Sequence, residues 1–334
     1  MQPGTAASRV AVIGAGSWGT TFAALIAGNT SVTLWARRAE VADEITSRRR
    51  NPVYLGDVVL SEEITATASM AEAVDGADVV VMAVPSGGFR SVLDAAVPHL
   101  LGSVPIVSLA KGLEPGTRLR MTEVVADVAP GHPAGALTGP NLANEVAAGQ
   151  PAAAVLATAD PALGAWLQPL FHRPTFRVYT NPDVVGCEIA GVVKNVIAIA
   201  AGMVEGLGFG DNTKATVMTR GLAELTRLGV ALGGDPRTFA GLAGLGDLVA
   251  TCASAASRNH RVGVDLGRGR ALAEILAATP MVAEGVASSA VVCELAAGAG
   301  VEMPLADQVR AVCQGEATPA EVVAALLRRA PTSE

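Results

Sequence analysis

The most constraining stretch lies at the start of the chain. Arg9 to Ile13 (RVAVI) is a β-branched run, Gly14-Ala15-Gly16-Ser17-Trp18-Gly19 follows without a break, Thr20 to Gly28 is a small-residue helical pattern, and Ser31 to Ala36 (SVTLWA) reads as a second strand. Strand, G-x-G-x-x-G, helix and strand in immediate succession form a βαβ unit of the kind that receives a dinucleotide pyrophosphate. Gly14 permits the tight turn. Gly16 lets the backbone approach the anion, with free N–H groups at a helix N-terminus. Gly19 lets helix and strand pack closely.

The end of the second strand bears on the cofactor. An acid at that place bonds a ribose 2′-hydroxyl, but here Arg37-Arg38 stand there and the first acid is Glu40. Two guanidinium groups suit a 2′-phosphate and can stack on adenine, so NADP(H) is expected in preference to NAD(H), which stays usable. The other reading of the pair is solvated loop charge. Arg48-Arg49-Arg50 reads as a solvated helix end.

Further apolar runs alternate with helical patterns: Ala77 to Val84, Val104 to Ala110, Ala134 to Thr138, Ala152 to Ala157 and Thr175 to Tyr179. Alternation of this kind predicts an α/β fold, an N-terminal Rossmann-type, mostly parallel, doubly wound sheet. Ligands bind beyond the carboxyl ends of such strands. The stretches Gly14–Gly19, Arg37–Arg38, Pro85–Ser86, Lys111–Gly112 and Gly139–Asn141 all fall there.

From about Asp183 onward strands vanish. The expected helices are Val184 to Glu205, Ala215 to Ala231, Pro236 to Ala240, Ala271 to Ala278, Ala287 to Gly298 and Pro319 to Arg329, the last opened by a Thr318–Glu321 capping box. Two domains are therefore expected, residues 1–185 and 186–334. Within the first helix, Gly191 to Gly202 is apolar nearly all round, which marks a buried helix. Lys194 and Asn195 are costly there without a partner or a purpose. Lys194 reads either as a proton carrier or as a snorkelling side chain at a surface edge. The glycine-rich turn Gly241 to Leu248 places Asp247 at its end. Ser257-Arg258-Asn259 supplies donors suited to phosphate oxygens, and Glu284 can reach a ribose or cap the next helix.

Composition narrows the partners. The chain has 334 residues, of which 50% are hydrophobic and 16% charged, ample for a large core. Its net charge of -7 disfavours a nucleic-acid partner. The four histidines show no metal spacing, so no metal is expected, and the four cysteines are widely spaced and read as reduced core residues. Met1 to Ser8 does not read as a signal peptide and no apolar run reaches the roughly 20 residues of a membrane span. The expectation is a cytoplasmic protein without a membrane partner. Small-residue helices in the second half are compatible with a homodimer.

Taken together, GAGSWGT from Gly14, SLAKGLE from Ser108, GVVKNVIAIAAG from Gly191, GLAGLGDLVATC from Gly241, SRNHRVG from Ser257 and VAEGV from Val282 resemble the bacterial NAD(P)-dependent glycerol-3-phosphate dehydrogenases. The motifs occur in family order over nearly the whole chain. The resemblance implies an all-α C-terminal domain like that of 6-phosphogluconate dehydrogenase. It also implies reversible hydride transfer between sn-glycerol 3-phosphate and dihydroxyacetone phosphate, feeding glycerophospholipid synthesis. Ser17, Trp18, Arg37, Arg38, Tyr54, Lys111, Ala143, Arg258, Val282 and Glu284 would contact the cofactor. Lys111, Gly139, Asn141, Lys194, Asp247, Ser257, Arg258 and Asn259 would contact the substrate, with Lys194 as proton acceptor. Asn141 departs from the pattern, since many relatives carry Ser or Thr there; its amide can still donate. A dehydrogenase for hydroxy acids and a non-catalytic NADPH sensor are the rival readings.

Overall fold

The computed structural model describes residues 9–278 and 282–327. The stretch Met1 to Ser8 and the end of the expected C-terminal helix at Arg329 lie outside them. The chain divides into two compact units, Met1–Glu188 and Ile189–Glu334, and the division falls inside one long helix, Val184–Gly206.

The first unit is built on strands β1 Arg9–Ile13, β2 Ser31–Trp35, β3 Ile64–Thr67, β4 Val79–Met82, β5 Ile106–Ser108, β6 Ala134–Thr138, β7 Ala152–Thr158 and β8 Phe176–Asn181. They form a single sheet in the order β3-β2-β1-β4-β5-β6-β7-β8. The first six in that order pair in parallel, β6 and β7 are antiparallel, and β7 and β8 are parallel. The six parallel strands follow the Rossmann order, with the switch point between β1 and β4. Both faces of the sheet are covered, which explains the unbroken apolar strands. Along β1, Val10 and Val12 join one buried cluster while Ala11 and Ile13 join the other.

Strand β3 is absent from the sequence reading. It is an edge strand of which only Ile64 is buried, and its two threonines carry no apolar alternation. The helix Ala39–Arg48 ends at the expected place, with Arg48 and Arg50 exposed, but Arg49 is not solvated: it caps the helix at φ 54 and its Nη1 donates to the Ile64 carbonyl at 2.7 Å, tying the helix to β3.

The described residues of the second unit are helical. Three helices lie where none was expected: Asp247–Ala253, Arg258–Gly267 and Pro304–Cys313. Glycines and polar residues masked the first two. The third opens on Pro304, at a position where a missing N–H costs nothing. The Thr318 capping box does form, with Thr318 N donating to Glu321 Oε2 at 2.8 Å and Glu321 N to Thr318 Oγ1 at 3.3 Å. The helix Val184–Gly206 is long and apolar enough to cross a membrane, but 83% of its apolar window is buried inside the protein. It is a core helix.

Its packing explains its glycines. Gly202 and Gly206 face Gly263 and Gly267 of the helix Arg258–Gly267. A Cβ at Gly202 would overlap the His260 carbonyl oxygen, one at Gly263 the Ile199 oxygen, one at Gly206 the Val264 oxygen and one at Gly267 the Met203 oxygen. The two backbones touch directly, so no side chain fits between them. Gly263→Val is expected to destabilise the protein by about 3 kcal/mol or more. Gly298→Ala, at a helical glycine whose Cβ would meet nothing within 4 Å, should be neutral or stabilising by up to about 1 kcal/mol. Chemical denaturation of both variants checks the pair; equal midpoints would show that the close crossing is not what holds these helices.

Candidate active site

In the first unit the site is laid out along the carboxyl ends of the parallel strands. Their registers align Ile13 with Trp35 and Met82, Met82 with Ser108, and Ser108 with Ala136. At the switch point Gly14 takes φ +119, where a Cβ would meet the Ala83 oxygen at 2.6 Å. Its N–H donates to Trp35 O at 3.0 Å, while Ala83 N donates to Ile13 O at 2.8 Å. A side chain at Gly19 would overlap the Gly14 carbonyl. Gly16 differs, for a Cβ there would meet nothing within 4 Å. It caps the helix Ser17–Ile26 without a side-chain hydrogen bond to that helix's first N–H groups. An open backbone at the positive end of a helix suits a pyrophosphate.

Trp18 lies against Phe22 and Phe176, ring centroids 6.0 and 6.2 Å away, with its Nε1 buried and unpartnered. Behind the turn, the buried Asn51 donates through Nδ2 to Ala15 O at 3.0 Å and to Thr20 Oγ1 at 2.8 Å. Sequence reasoning missed this residue; the Asn-Pro opening of the short helix Pro52–Leu55 was its one available signal. Tyr54, on that helix, is half-buried. Arg37 and Arg38 follow β2 and are exposed, Arg38 preceding the helix Ala39–Arg48.

Lys111, half-buried after β5, donates through Nζ to Gly139 O at 2.8 Å. Gly139 follows β6 and also takes φ +119. Two residues on, both amide atoms of Asn141 are buried without a partner, as is the Thr138 hydroxyl. Ala143 opens the helix Ala143–Ala147, and its carbonyl accepts from Thr21 Oγ1 at 3.3 Å, which sets it against the glycine-turn helix.

In the second unit the helix Val184–Gly206 carries Lys194, which is 5% exposed. Its Nζ donates to Asp247 Oδ1 at 2.8 Å and to Thr251 Oγ1 at 2.7 Å. The snorkelling alternative is thereby set aside, because the amine is buried and doubly bonded. Asp247 is not on a loop. It opens the helix Asp247–Ala253 after a π-helical turn, Leu242–Gly246, in which Gly244 lies on the Phe239 backbone.

Asn195, one residue on from Lys194, accepts at Oδ1 from Asn259 Nδ2 at 2.9 Å, and Asn259 Oδ1 in turn accepts from Gly285 N at 3.0 Å. One amide hydrogen of Asn259 remains. Ser257 caps the helix Arg258–Gly267 by accepting from His260 N at 3.3 Å, which leaves the first N–H groups of that helix, those of Arg258 and Asn259, without a cap. Arg258 is exposed. The protein around its guanidinium holds it below the ordinary arginine range, opposed by the Glu284 carboxylate. Glu284 opens the next helix, and Val282 before it is exposed.

A mostly parallel Rossmann-type sheet with an open glycine turn, followed by a helical unit with a buried lysine, defines an NAD(P)-dependent oxidoreductase. Residues 9–164 match the family model of the NAD-dependent glycerol-3-phosphate dehydrogenase N-terminus, and residues 183–324 that of its C-terminus. The chain belongs to the NAD-dependent glycerol-3-phosphate dehydrogenase family. It is 56% identical to glycerol-3-phosphate dehydrogenase (NAD(P)+) 2 of Sphingopyxis alaskensis over 96% of each chain. It is 51% identical to the enzyme of Mycobacterium avium, covering 98% of this chain and 96% of that one. The solved glycerol-3-phosphate dehydrogenase of Coxiella burnetii superposes with a TM-score of 0.93 at 37% identity, covering 97% of this chain and 99% of that one. A ketopantoate reductase family protein of Ralstonia eutropha, at 20% identity and a TM-score of 0.59, shares the fold alone.

His260 adds a pH dependence. It is 3% exposed, its Nδ1 is without a partner, and its Nε2 lies 3.4 Å from Glu205 Oε2. Burial pushes the imidazole below its ordinary range, with Glu205 opposing and Lys214 adding to the shift. The unfolded chain therefore takes up this proton more readily than the folded one, and stability falls as pH drops through about 6.5. Melting temperature should decline more steeply from about pH 7 to about pH 5 in the native protein than in His260→Gln. Parallel curves would refute this.

Proposed function

We propose that the chain interconverts sn-glycerol 3-phosphate and dihydroxyacetone phosphate, with NADP(H) preferred to NAD(H), and so supplies glycerol 3-phosphate for glycerophospholipid synthesis. The observation that carries this reading is the buried Lys194–Asp247–Thr251 cluster. An ammonium has three N–H donors. Asp247 and Thr251 take two, and the third is left for a substrate oxygen. In reduction Lys194 gives that proton to the carbonyl oxygen. In oxidation the neutral amine accepts it from the hydroxyl and keeps two N–H groups, enough to retain both partners.

The glycine turn fits a dinucleotide, since Gly16 leaves its helix N-terminus open. Gly14, Gly16, Ser17, Trp18 and Gly19 are assigned to the pyrophosphate end, and Arg37, Arg38 and Tyr54 to the adenosine 2′-phosphate end. Lys111, Ala143, Arg258, Val282 and Glu284 complete the cofactor contacts. The nicotinamide, when bound, supplies or accepts the hydride at carbon 2. Ser257, Arg258 and Asn259 offer the phosphate a helix N-terminus, a guanidinium and an amide, a combination suited to an anion. Lys111, Gly139 and Asn141 are assigned to the rest of the substrate. The unpartnered amide of Asn141 supports its assignment, because a buried orphan costs about 1–3 kcal/mol until something bonds it. Free cysteines, with burial pushing Cys252 up to about 12, suit the cytoplasm. A homodimer accords with the small-residue helices.

Oxidation of NADPH should proceed with dihydroxyacetone phosphate and not with 2-oxo acids; the reverse preference would sink the substrate assignment. Lys194→Met should lower kcat by about a thousandfold, within the range of lost acid–base catalysis, while fluorescence titration shows NADPH still binding. Near-normal turnover would remove the proton-transfer role. Replacing Arg37 and Arg38 together by Ala should raise KM for NADPH about tenfold and that for NADH less than about twofold. An equal rise for both cofactors would count against the 2′-phosphate contact.

A further inference from the structure

Residues 109–120, between β5 and the helix Met121–Val128, contain neither helix nor strand, and Lys111 sits near their start. Such a stretch keeps one path only if it is tied down. On one side of Lys111, Leu109 N donates to Met82 O at 2.9 Å and Ala110 N to Ser108 Oγ at 3.1 Å. On the other side stands Glu114, 8% exposed. Arg90 grips its carboxylate with two prongs, Nε to Oε1 at 2.7 Å and Nη2 to Oε2 at 2.9 Å. The Thr117 hydroxyl also donates to Oε2. The backbone of Glu114 closes the rest of the loop: its N–H donates to Leu119 O at 2.9 Å, and its carbonyl accepts from Arg118 N at 2.9 Å.

Arg90 is itself fixed. It stands on the helix Ser86–Ala96, whose Phe89 and Leu93 are fully buried, and its Nη1 donates to Asp127 Oδ2 at 2.6 Å. The grip joins the helix that follows β4 to the loop that follows β5.

We propose that Glu114 is a positioning residue for the reaction: held by the Arg90 fork, it fixes the loop so that the Lys111 amine stays beside Gly139. This rests on the assignment of Lys111 to cofactor and substrate made above. Lys111 lies between two pinned points, Ala110 and Glu114, so its backbone has little freedom to swing. A bidentate pair adds directional fixing that a single ammonium or an apolar contact does not. Stability alone does not call for a charged pair here, since the Arg90 side chain is 32% exposed and ion pairs open to solvent contribute little. Arg90 and Thr117 hold the Glu114 carboxyl below the usual carboxylate range, so the grip stays charged throughout the neutral range.

The test is a double-mutant cycle on the full-length enzyme, read as KM and kcat with NADPH and dihydroxyacetone phosphate. Glu114→Gln should raise both KM values about five- to tenfold and change kcat less than about threefold, the signature of lost binding shared by ground and transition state. In a Lys111→Ala background the same substitution should change KM less than about twofold, because the group through which it acts is gone. Full additivity of the two substitutions would overturn the proposal. If Lys111→Ala alone left both KM values unchanged, the assignment of Lys111 itself would fall, a result distinguishable from additivity. Arg90→Lys guards against misfolding of the Glu114 variant. It keeps the charge and loses the fork, and should reproduce the KM rise with a native-like melting temperature. A native KM in Arg90→Lys would likewise refute the role.

Discussion

The second unit is organised around one ammonium group placed where apolar packing alone would exclude it. Lys194 sits on a helix whose neighbours are almost all buried hydrophobic side chains, and an unpaired charge there would be prohibitive. The ion pair with Asp247 and the bond to Thr251 make it tolerable. They do not make it favourable in stability terms, since a well-packed apolar pair of equal volume is often as stable or more so. What the pair secures is the location of Nζ. Asp247 can reach it because the Leu242–Gly246 turn delivers a helix start at that point, and that turn requires Gly244 on the Phe239 backbone. Ion pair, turn and glycine are one device.

The same helix sets the register of its neighbour. Asn195 meets Asn259, Gly202 meets Gly263 and Gly206 meets Gly267. Seven and then four residues separate the contacts on one side, four and four on the other, so all three lie along a single face of each helix. With backbone against backbone, the helix Arg258–Gly267 cannot slide without a clash at every glycine. Its N-terminus, whose first N–H groups the Ser257 cap leaves open, is thereby fixed beside Asn195, one residue from Lys194. Packing that looks purely structural thus determines where the Asn259 amide stands relative to the Lys194 helix.

Much of this was legible in the sequence, for identifiable reasons. Most of the strands are apolar runs bounded by turn residues, β8 alternates buried and exposed residues, and the glycine turn has fixed spacing because Gly14 and Gly19 each answer a separate steric demand. Lys194 could be singled out because a charge in an apolar helix breaks the pattern. Strand β3 could not, because an edge strand with one buried residue has no period to read. The helix at Asp247 was hidden by the glycine-rich turn before it and the helix at Arg258 by its own glycines and polar residues: those residues lower helix propensity locally, and tertiary packing overrides it. Asn51, Thr251 and the Arg90–Glu114 fork were beyond reach for a different reason. Their partners lie 57 or fewer residues away along the chain, and no local pattern marks the pairing.

Among the described residues, buried side-chain polar atoms without a partner are unevenly distributed. Native interiors leave few buried polar groups without a partner, and each one weakens the folded state. Among the described residues such groups occur on Trp18, Asn51, Thr138, Asn141 and His260. Trp18 and Asn51 belong to the glycine turn and its support, Thr138 and Asn141 flank Gly139, and the His260 ring faces the Glu205 carboxylate. None lies in the interior of a sheet strand away from these stretches or in the peripheral helices. In the first unit, a core selected for stability alone would have no reason to gather its unsatisfied groups at the strand ends. Their concentration there supports the proposal that these strand ends receive a polar ligand.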